Sequence, residues 1–403
     1  MSQLFATIDA EWLSGRLGQR VSQFSLDRGD LDKLNKASGL RFATATLEDG
    51  RVLPLVLKLA TDSTVSKQYG LAREGMFYRH WASLPCSLPS VAANGSASAS
   101  PLGKVLPKVY HSEGSMETGD KLIVMEDLSQ SHVQLGYYYG PGNPNNNGKD
   151  LAALTSKLPM DVASATRLAF SAAAKLHAPY WGCHMEHPWL TKAGWLTGKN
   201  EDEWTSAQSS TSAAWAKVKA KIASADPSYT VHWDPFLVAC IDSSIGKARA
   251  PGGWAAFQAE LGARPFTLVH GDFHPANLLA GGGSEGVLLV DWEAVGLGSG
   301  PQELGQFMIS HCEPELRAGI EKDAVAAYYA ELKSLNPLIG MMFEQCWNEY
   351  VMGGLGRWLF FLPFDGFSDD EQGRKNSQFF ADQVLAFIKD HGVTPVSIPM
   401  PRV

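Results

Sequence analysis

The stretch His270-Gly-Asp272-Phe-His-Pro-Ala-Asn277 sets a histidine, an aspartate and an asparagine at the spacing H-x-D-x-x-x-x-N, and Val-Asp291-Trp-Glu293 follows shortly after. That spacing is shared with phosphoryl-transfer catalytic loops. The chemistry asks for these residue types. Magnesium takes a few oxygen ligands and leaves its remaining positions to water and substrate phosphates, a need that the Asn277 amide oxygen and the Asp291 carboxylate meet. Asp272 is then left to orient an acceptor hydroxyl and take its proton as catalytic base. Catalysis of this kind is mainly positioning and charge neutralisation. An isolated aspartate after a strand is usually a cap or turn residue, so context decides.

The context is a hairpin. Phe266 to Val269 is a short apolar strand that leads into His270. Asn277 to Ala280 is a second strand, Gly281 to Gly286 a turn, and Val287 to Val290 a returning strand. Antiparallel pairing brings Asn277 and Asp291 to the same end, where both can hold one metal, and leaves Asp272 one loop away. Glu293 stays open between a metal contact, the acceptor and a structural hydrogen bond. His270 buttresses the loop. His274 lies four residues further on, but Gly271 and Pro275 oppose a helix, so it reads as structural.

A phosphate-binding cation is needed as well. Leu55-Val-Leu-Lys58 buries a lysine in an apolar strand, where it requires a partner, and Glu74 lies on the helix predicted next. An edge-strand lysine and a solvated helix acid are the plainer readings of the two. The apolar strand Leu122-Ile-Val-Met-Glu126-Asp127-Leu128 breaks into acids where two lobes should join; there the Glu126 carbonyl and the Leu128 amide are candidates for the adenine edge. The loop Asp27 to Gly39 is glycine-poor and lacks G-x-G-x-x-G. Its Lys33, Lys36 and Ser38 are weak phosphate candidates.

The elements that must carry these residues change in texture along the chain. Strands are expected at Val21–Leu26, at Leu40–Leu47 and Val52–Leu59 around a Glu48-Asp49-Gly50 hairpin turn, and at Val105–His111 and Lys121–Met125. A helix is expected over Ala72–Trp81. Residues 90–104 and Gly140–Gly148 read as loops. Beyond them come helices, one running from an Asp161 N-cap to His177, and others across 200–262 and 313–392. The expected fold is α+β and bilobal: a β-rich nucleotide-binding lobe over residues 1–128 and a mainly helical catalytic and acceptor-binding lobe over 129–403.

Bulk properties exclude several classes. The 403 residues are 45% apolar and 19% charged, with net charge -8, so a large core is available and disorder is not expected. No basic stretch stands out, which argues against a nucleic-acid partner. No apolar run reaches the roughly 18 residues that cross a bilayer, and the N-terminus makes a poor signal peptide. Five scattered cysteines without a C-x-x-C pair suit reduced thiols in the cytoplasm.

Other signals carry less. Cys183-His184-Met-Glu186-His187 lacks a second ligand pair for zinc, Gly194 to Lys199 falls short of a phosphate loop, and Gly296 to Gly300 reads as a turn. Tyr180, Trp181, Trp189, Trp195, Trp204, Trp215, Trp233 and Trp358 could cage a cationic amine, but such rings are more often core. Glu201, Asp202 and Glu203 would suit an amine acceptor, with a solvated acidic run as the plainer reading.

Taken together, Lys58, Arg73-Glu74-Gly-Met-Phe-Tyr78, Val124-Met-Glu-Asp-Leu128, Ala174-Lys-Leu-His177-Ala-Pro-Tyr-Trp181, His270 to Leu279 and Val290-Asp291-Trp-Glu293 resemble the aminoglycoside phosphotransferase and choline kinase superfamily, nearest in texture to its choline-kinase-like or ecdysteroid-kinase-like branch. The resemblance covers most of the chain. It implies a bilobal kinase fold with ATP and Mg2+ in the cleft, Asp272 as base, Asn277 and Asp291 as metal ligands, Lys58 on phosphate and held by Glu74, and a small-molecule hydroxyl as acceptor. His177 would be structural. One departure is Glu303, which stands where the family commonly carries a structural aspartate. The absence of A-P-E after Asp291 counts against a protein kinase. A nucleotide-binding pseudoenzyme or scaffold is the competing class, disfavoured by the presence of Lys58, Asp272, Asn277 and Asp291 together.

Overall fold

The alternation Leu55-Val-Leu-Lys-Leu59 sends leucines to one side of a strand and Val56 and Lys58 to the other, and the N-terminal sheet is organised around that split. The computed structural model describes residues 8–26, 38–84, 101–182, 201–224, 227–262, 266–281, 286–366, 368 and 370–402. Helix α1 (Ala10–Leu17) precedes strands β1 (Val21–Leu26), β2 (Ser38–Leu47) and β3 (Val52–Ala60). Helices α2 (Ser63–Tyr69) and α3 (Arg73–His80) follow, then β4 (Val109–Gly114) and β5 (Lys121–Glu126). The five strands form one antiparallel sheet in the order β1-β2-β3-β5-β4. Gly50 turns the β2–β3 hairpin at a φ of 84°, a value open to glycine at no steric cost.

The two faces of the sheet belong to different cores. Leu55, Leu57, Leu59, Leu122 and Val124 pack with Leu13 of α1. Val56, Ile123 and Met125 join Phe77 of α3 and a core that continues through the helical part of the chain. That second face is the one that carries Lys58.

Strand β6 (His132–Gln134) and helices α4 (Leu151–Thr155), α5 (Val162–His177), α6 (Glu201–Ser224), α7 (Pro235–Arg249) and α8 (Gly253–Gly262) come next. In α5 the Asp161 side chain accepts from the Ser164 amide at 2.7 Å, a cap that contributes about 1 kcal/mol. Strands β7 (Thr267–Val269), β8 (Leu278–Gly281), β9 (Val287–Leu289) and β10 (Gly296–Gly298) carry the chemistry-bearing loops, and α9 (Gly300–His311), α10 (Pro314–Leu335), α11 (Phe343–Asn348), α12 (Gly354–Asp365) and α13 (Glu371–Asp390) complete the helical part. A β-rich first part and a mainly helical second part make the fold α+β and bilobal. Among the described residues no helix is long and apolar enough to cross a membrane.

Four expectations change. The fourth strand begins at Val109 rather than Val105; Pro107 has no amide to give a ladder, and the Val105 carbonyl is taken by the Leu289 amide at 2.7 Å. Residues 140–148 hold a helical turn at Pro144–Asn146, where buried Asn146 donates to the Gly136 and Gly140 carbonyls. Gly296–Gly298 is a strand paired with β7, not a turn. Pro101–Lys104 is also a helical turn. The expectations for residues 27–37, 85–100, 183–200 and 282–285 lie outside the described residues. Tyr180, Trp204, Trp215, Trp233 and Trp358 are all buried and belong to the packing.

Candidate active site

Strands β8 and β9 pair in the register Leu278↔Leu289 and Ala280↔Val287. The ladder extends one bond further, from the Val290 amide to the Asn277 carbonyl at 3.0 Å, so Asn277 and Asp291 leave the hairpin at the same end. Asp291 then takes a φ of 67°, the only positive φ among the described non-glycine residues. A left-handed aspartate costs about 1–2 kcal/mol and is a feature of functional sites.

The loop between β7 and β8 is held from several sides. The His270 ring, fully buried, donates through Nε2 to the Val290 carbonyl at 2.9 Å and accepts the Asp272 amide on Nδ1. It stands 4.6 Å from Trp292, which stacks on Phe77 of α3 at 4.2 Å. Glu303 of α9 accepts from the His270 and Gly271 amides at 3.1 and 2.6 Å and from His177 Nε2 at 2.9 Å. His177 in turn accepts the Tyr328 hydroxyl. Glu303 therefore closes helix α5 and helix α9 onto the loop, and His177 is structural. Arg357 of α12 donates to the Gly271 carbonyl at 3.2 Å; burial lowers its pKa to about 10 even though Asp272 and Glu303 lie near.

Asp272 is tied on one side only. Its Oδ2 receives Asn277 Nδ2 at 3.2 Å and lies 3.3 Å from His274 Nε2. Burial would raise the Asp272 carboxyl, but His274, His270 and Arg357 outweigh it and hold the group well below the usual carboxylate range. Asn277 Nδ2 also reaches the Asp272 carbonyl at 3.0 Å. With its nitrogen so engaged, the Asn277 amide turns its oxygen away from Asp272.

On the sheet side Lys58 Nζ lies 2.7 Å from Glu74, 2.5 Å from Asp291 and 3.2 Å from Glu293. Burial pulls the ammonium down, and these three carboxylates more than offset it and hold it above its ordinary range. Lys121, at the start of β5, contacts Glu74 at 3.3 Å and Glu293 at 2.5 Å. The Trp292 amide donates to the other oxygen of Glu74, and Arg73 donates to the Glu293 carbonyl. The structure thus brings Lys58, Glu74, Asp291 and Glu293 into one cluster, with Asn277 at the same hairpin end as Asp291. Three carboxylates face two ammonium groups; burial together with Glu74 and Glu293 lifts the Asp291 carboxyl above its ordinary range despite Lys58. An amide oxygen at the same hairpin end as a carboxylate, in a cluster with one more acid than base, is a donor set that fits a hard divalent cation.

Glu126 and Leu128 lie where β5 leaves the sheet. The Glu126 carboxylate accepts the Lys108 amide at 2.6 Å, and the Leu128 carbonyl accepts the His132 amide at 2.9 Å. Of two cavities of about 1150 and 1170 Å³, the larger has Glu126, Leu128 and Lys108 in its wall, and neither is lined by Asp272 or Asp291.

Sequence reasoning missed Lys121, Arg357 and the place of His274. Lys121 carried a legible signal, since it shares the parity of Ile123 and Met125 on a strand whose neighbour holds Lys58. Arg357 carried none.

Solved structures similar to this chain include a macrolide 2'-phosphotransferase from Brachybacterium faecium, at 15% identity, with 92% of this chain and 96% of that chain covered and a TM-score of 0.41. They also include an ethanolamine kinase from Plasmodium vivax, at 8% identity, with 90% and 81% covered and a TM-score of 0.49, and an aminoglycoside phosphotransferase from Alicyclobacillus acidocaldarius, at 12% identity, with 92% and 91% covered and a TM-score of 0.44. No curated protein sequence matches. The profile of the phosphotransferase enzyme family matches residues 36–335, well over half of the sequence, and the chain belongs to that family.

Proposed function

We propose that this protein is an ATP- and magnesium-dependent kinase that moves the γ-phosphate to a hydroxyl of a small molecule: an amino alcohol, aminoglycoside, sugar or sterol-like compound. The observation that carries the reading is the meeting of the Lys58–Glu74 pair of strand β3 and helix α3 with Asp291 and Asn277 of the hairpin, to which Asn277 ties Asp272 of the preceding loop. In this reading residues 1–128 form the nucleotide lobe and residues 129–403 the catalytic lobe.

Each residue has a separate task. Lys58, held by Glu74, binds nucleotide phosphate. The Glu126 carbonyl and Leu128 amide meet the adenine edge. Asn277 and Asp291 hold the magnesium, which when bound neutralises charge on the phosphates. Glu293 stands as a further metal candidate: it offers a carboxylate oxygen close to those of Asp291 and Glu74, while its Oε1 also contacts Lys58 and Lys121. Asp272 offers the acceptor hydroxyl the oxygen that His274 and Asn277 do not occupy. Its depressed pKa makes it a weak base, so it orients the hydroxyl first and takes the proton late, as the bond to phosphorus forms.

Magnesium-dependent ATP consumption over a panel of amino alcohols, aminoglycosides, sugars and sterols tests this. Asp272→Asn should lower turnover by about 10³-fold with nucleotide binding retained. Near-normal turnover in that variant would remove Asp272 from its role. Nucleotide binding without consumption on any acceptor would favour a pseudoenzyme.

A further inference from the structure

Strands β3 and β5 pair with Lys58 opposite Ile123 and Leu59 opposite Leu122. Lys121 therefore shares a sheet face with Lys58 and sits diagonally across from it, within reach of a long side chain. Two ammonium groups side by side on a buried face repel each other, and the side chains are only 10% and 0% exposed. The arrangement holds because the acids bridge. One oxygen of Glu74, Oε2, contacts both lysines, and one oxygen of Glu293, Oε1, contacts both as well. Lys58, Glu74, Lys121 and Glu293 form a closed ring of alternating charge, to which Asp291 adds a third carboxylate on Lys58 alone.

The ring bears on how Lys58 works. To reach a phosphate, Lys58 must give up some of its three carboxylate contacts. Lys121, with its side chain out of solvent, is held by Glu74 and Glu293. We propose that Lys121 is a positioning residue of the nucleotide site: it supplies the fixed counter-charge for Glu74 and Glu293 that lets Lys58 turn from those acids to phosphate. The proposal rests on the reading of the cleft as a magnesium–ATP site. Without Lys121 both glutamates would lean on Lys58 and hold it back. Removing one glutamate at the same time should restore the balance, an effect that loss of packing alone would not produce.

The test is calorimetric binding of magnesium with a non-hydrolysable ATP analogue to the full chain, which needs no acceptor. Lys121→Met should weaken binding by about tenfold, within the range for coupled charges in one network. The double variant Lys121→Met with Glu293→Gln should recover most of that loss. Glu293→Gln alone, which keeps Lys121 and relieves Lys58 of one acid, should tighten binding by about twofold, and it decides the matter if Lys121→Met does not fold. Unchanged binding in Lys121→Met overturns the role of Lys121, as does a double variant no better than the single one. Weakened binding in Glu293→Gln alone also overturns it and would make Glu293 a metal ligand. Absence of binding by the wild type is a different result, which removes the nucleotide reading itself.

Discussion

His274 Nε2 lies 3.3 Å from Asp272 Oδ2, while Nδ1 of the same ring accepts the Ala276 amide. The second contact orients the ring so that Nε2 points at Asp272. His311 stacks behind it at 5.5 Å and nearly parallel. His274 is therefore a brace for the aspartate, on a loop where the spacing alone suggested only a structural residue.

Truncating that brace should disturb catalysis more than nucleotide binding. His274→Ala is expected to lower kcat by about 10- to 100-fold, the penalty of a slightly misplaced group, with KM for ATP little changed. His274→Gln, which keeps a donor at similar reach, should recover part of it. Steady-state kinetics on any acceptor that turns over would check both, and an equal effect on KM would argue against the brace.

Gly271 precedes the aspartate at a φ of 83°, and a Cβ there would overlap the Ala294 carbonyl oxygen. Gly271→Ala should cost about 2 kcal/mol or more, from the left-handed backbone together with the overlap, and the loop should lose its geometry. Thermal unfolding with a parallel activity assay measures the two effects. A variant of wild-type Tm and activity would mean the loop has another conformation to use.

Glu303 gives both its oxygens to backbone amides of the loop and one of them also to His177. Glu303→Ala leaves those buried donors without an acceptor, and a loss of about 3 kcal/mol is expected. The drop in Tm should be accompanied by a fall in kcat. Glu303→Asp is informative because the carboxylate survives on a shorter stem; it should keep more stability than alanine does.

A pH effect is expected far from the cleft. Burial would raise the Glu321 carboxyl, but His391 at 3.4 Å, the bond from the Tyr350 hydroxyl and the Arg317 charge outweigh it and hold it below its ordinary value. A depressed carboxyl contributes stability that is fully present above its unfolded pKa of about 4.3 and is lost as pH falls through the folded value. Glu321→Gln should therefore cost about 3 kcal/mol near neutral pH, where it leaves Arg317 buried with Asp390 as its remaining acid partner. The gap to wild type should narrow as pH drops below about 4. Melting curves across that window would reveal it, and a gap that stays constant with pH would remove Glu321 as its source.

What the sequence determined by itself is what short spacing can hold. The glycine-rich segment between two apolar strands implied a hairpin, and a hairpin of that length must return Asp291 to the level of Asn277. The alternation around Lys58 marked a buried lysine in need of an acid, and Glu74 on helix α3 meets it at 2.7 Å. Tertiary structure decided which charges share that acid. Lys121 enters from a strand that is distant in sequence yet adjacent in the sheet, Glu303 and Arg357 reach the loop from two later helices, and His274 turns towards Asp272 through a bond from the Ala276 amide. The physical reason is the same in each case. A buried charge must find a partner wherever packing brings one; strand parity can mark Lys121 as facing the same way as Ile123 and Met125, but no spacing in the chain says which acids the fold sets beside it.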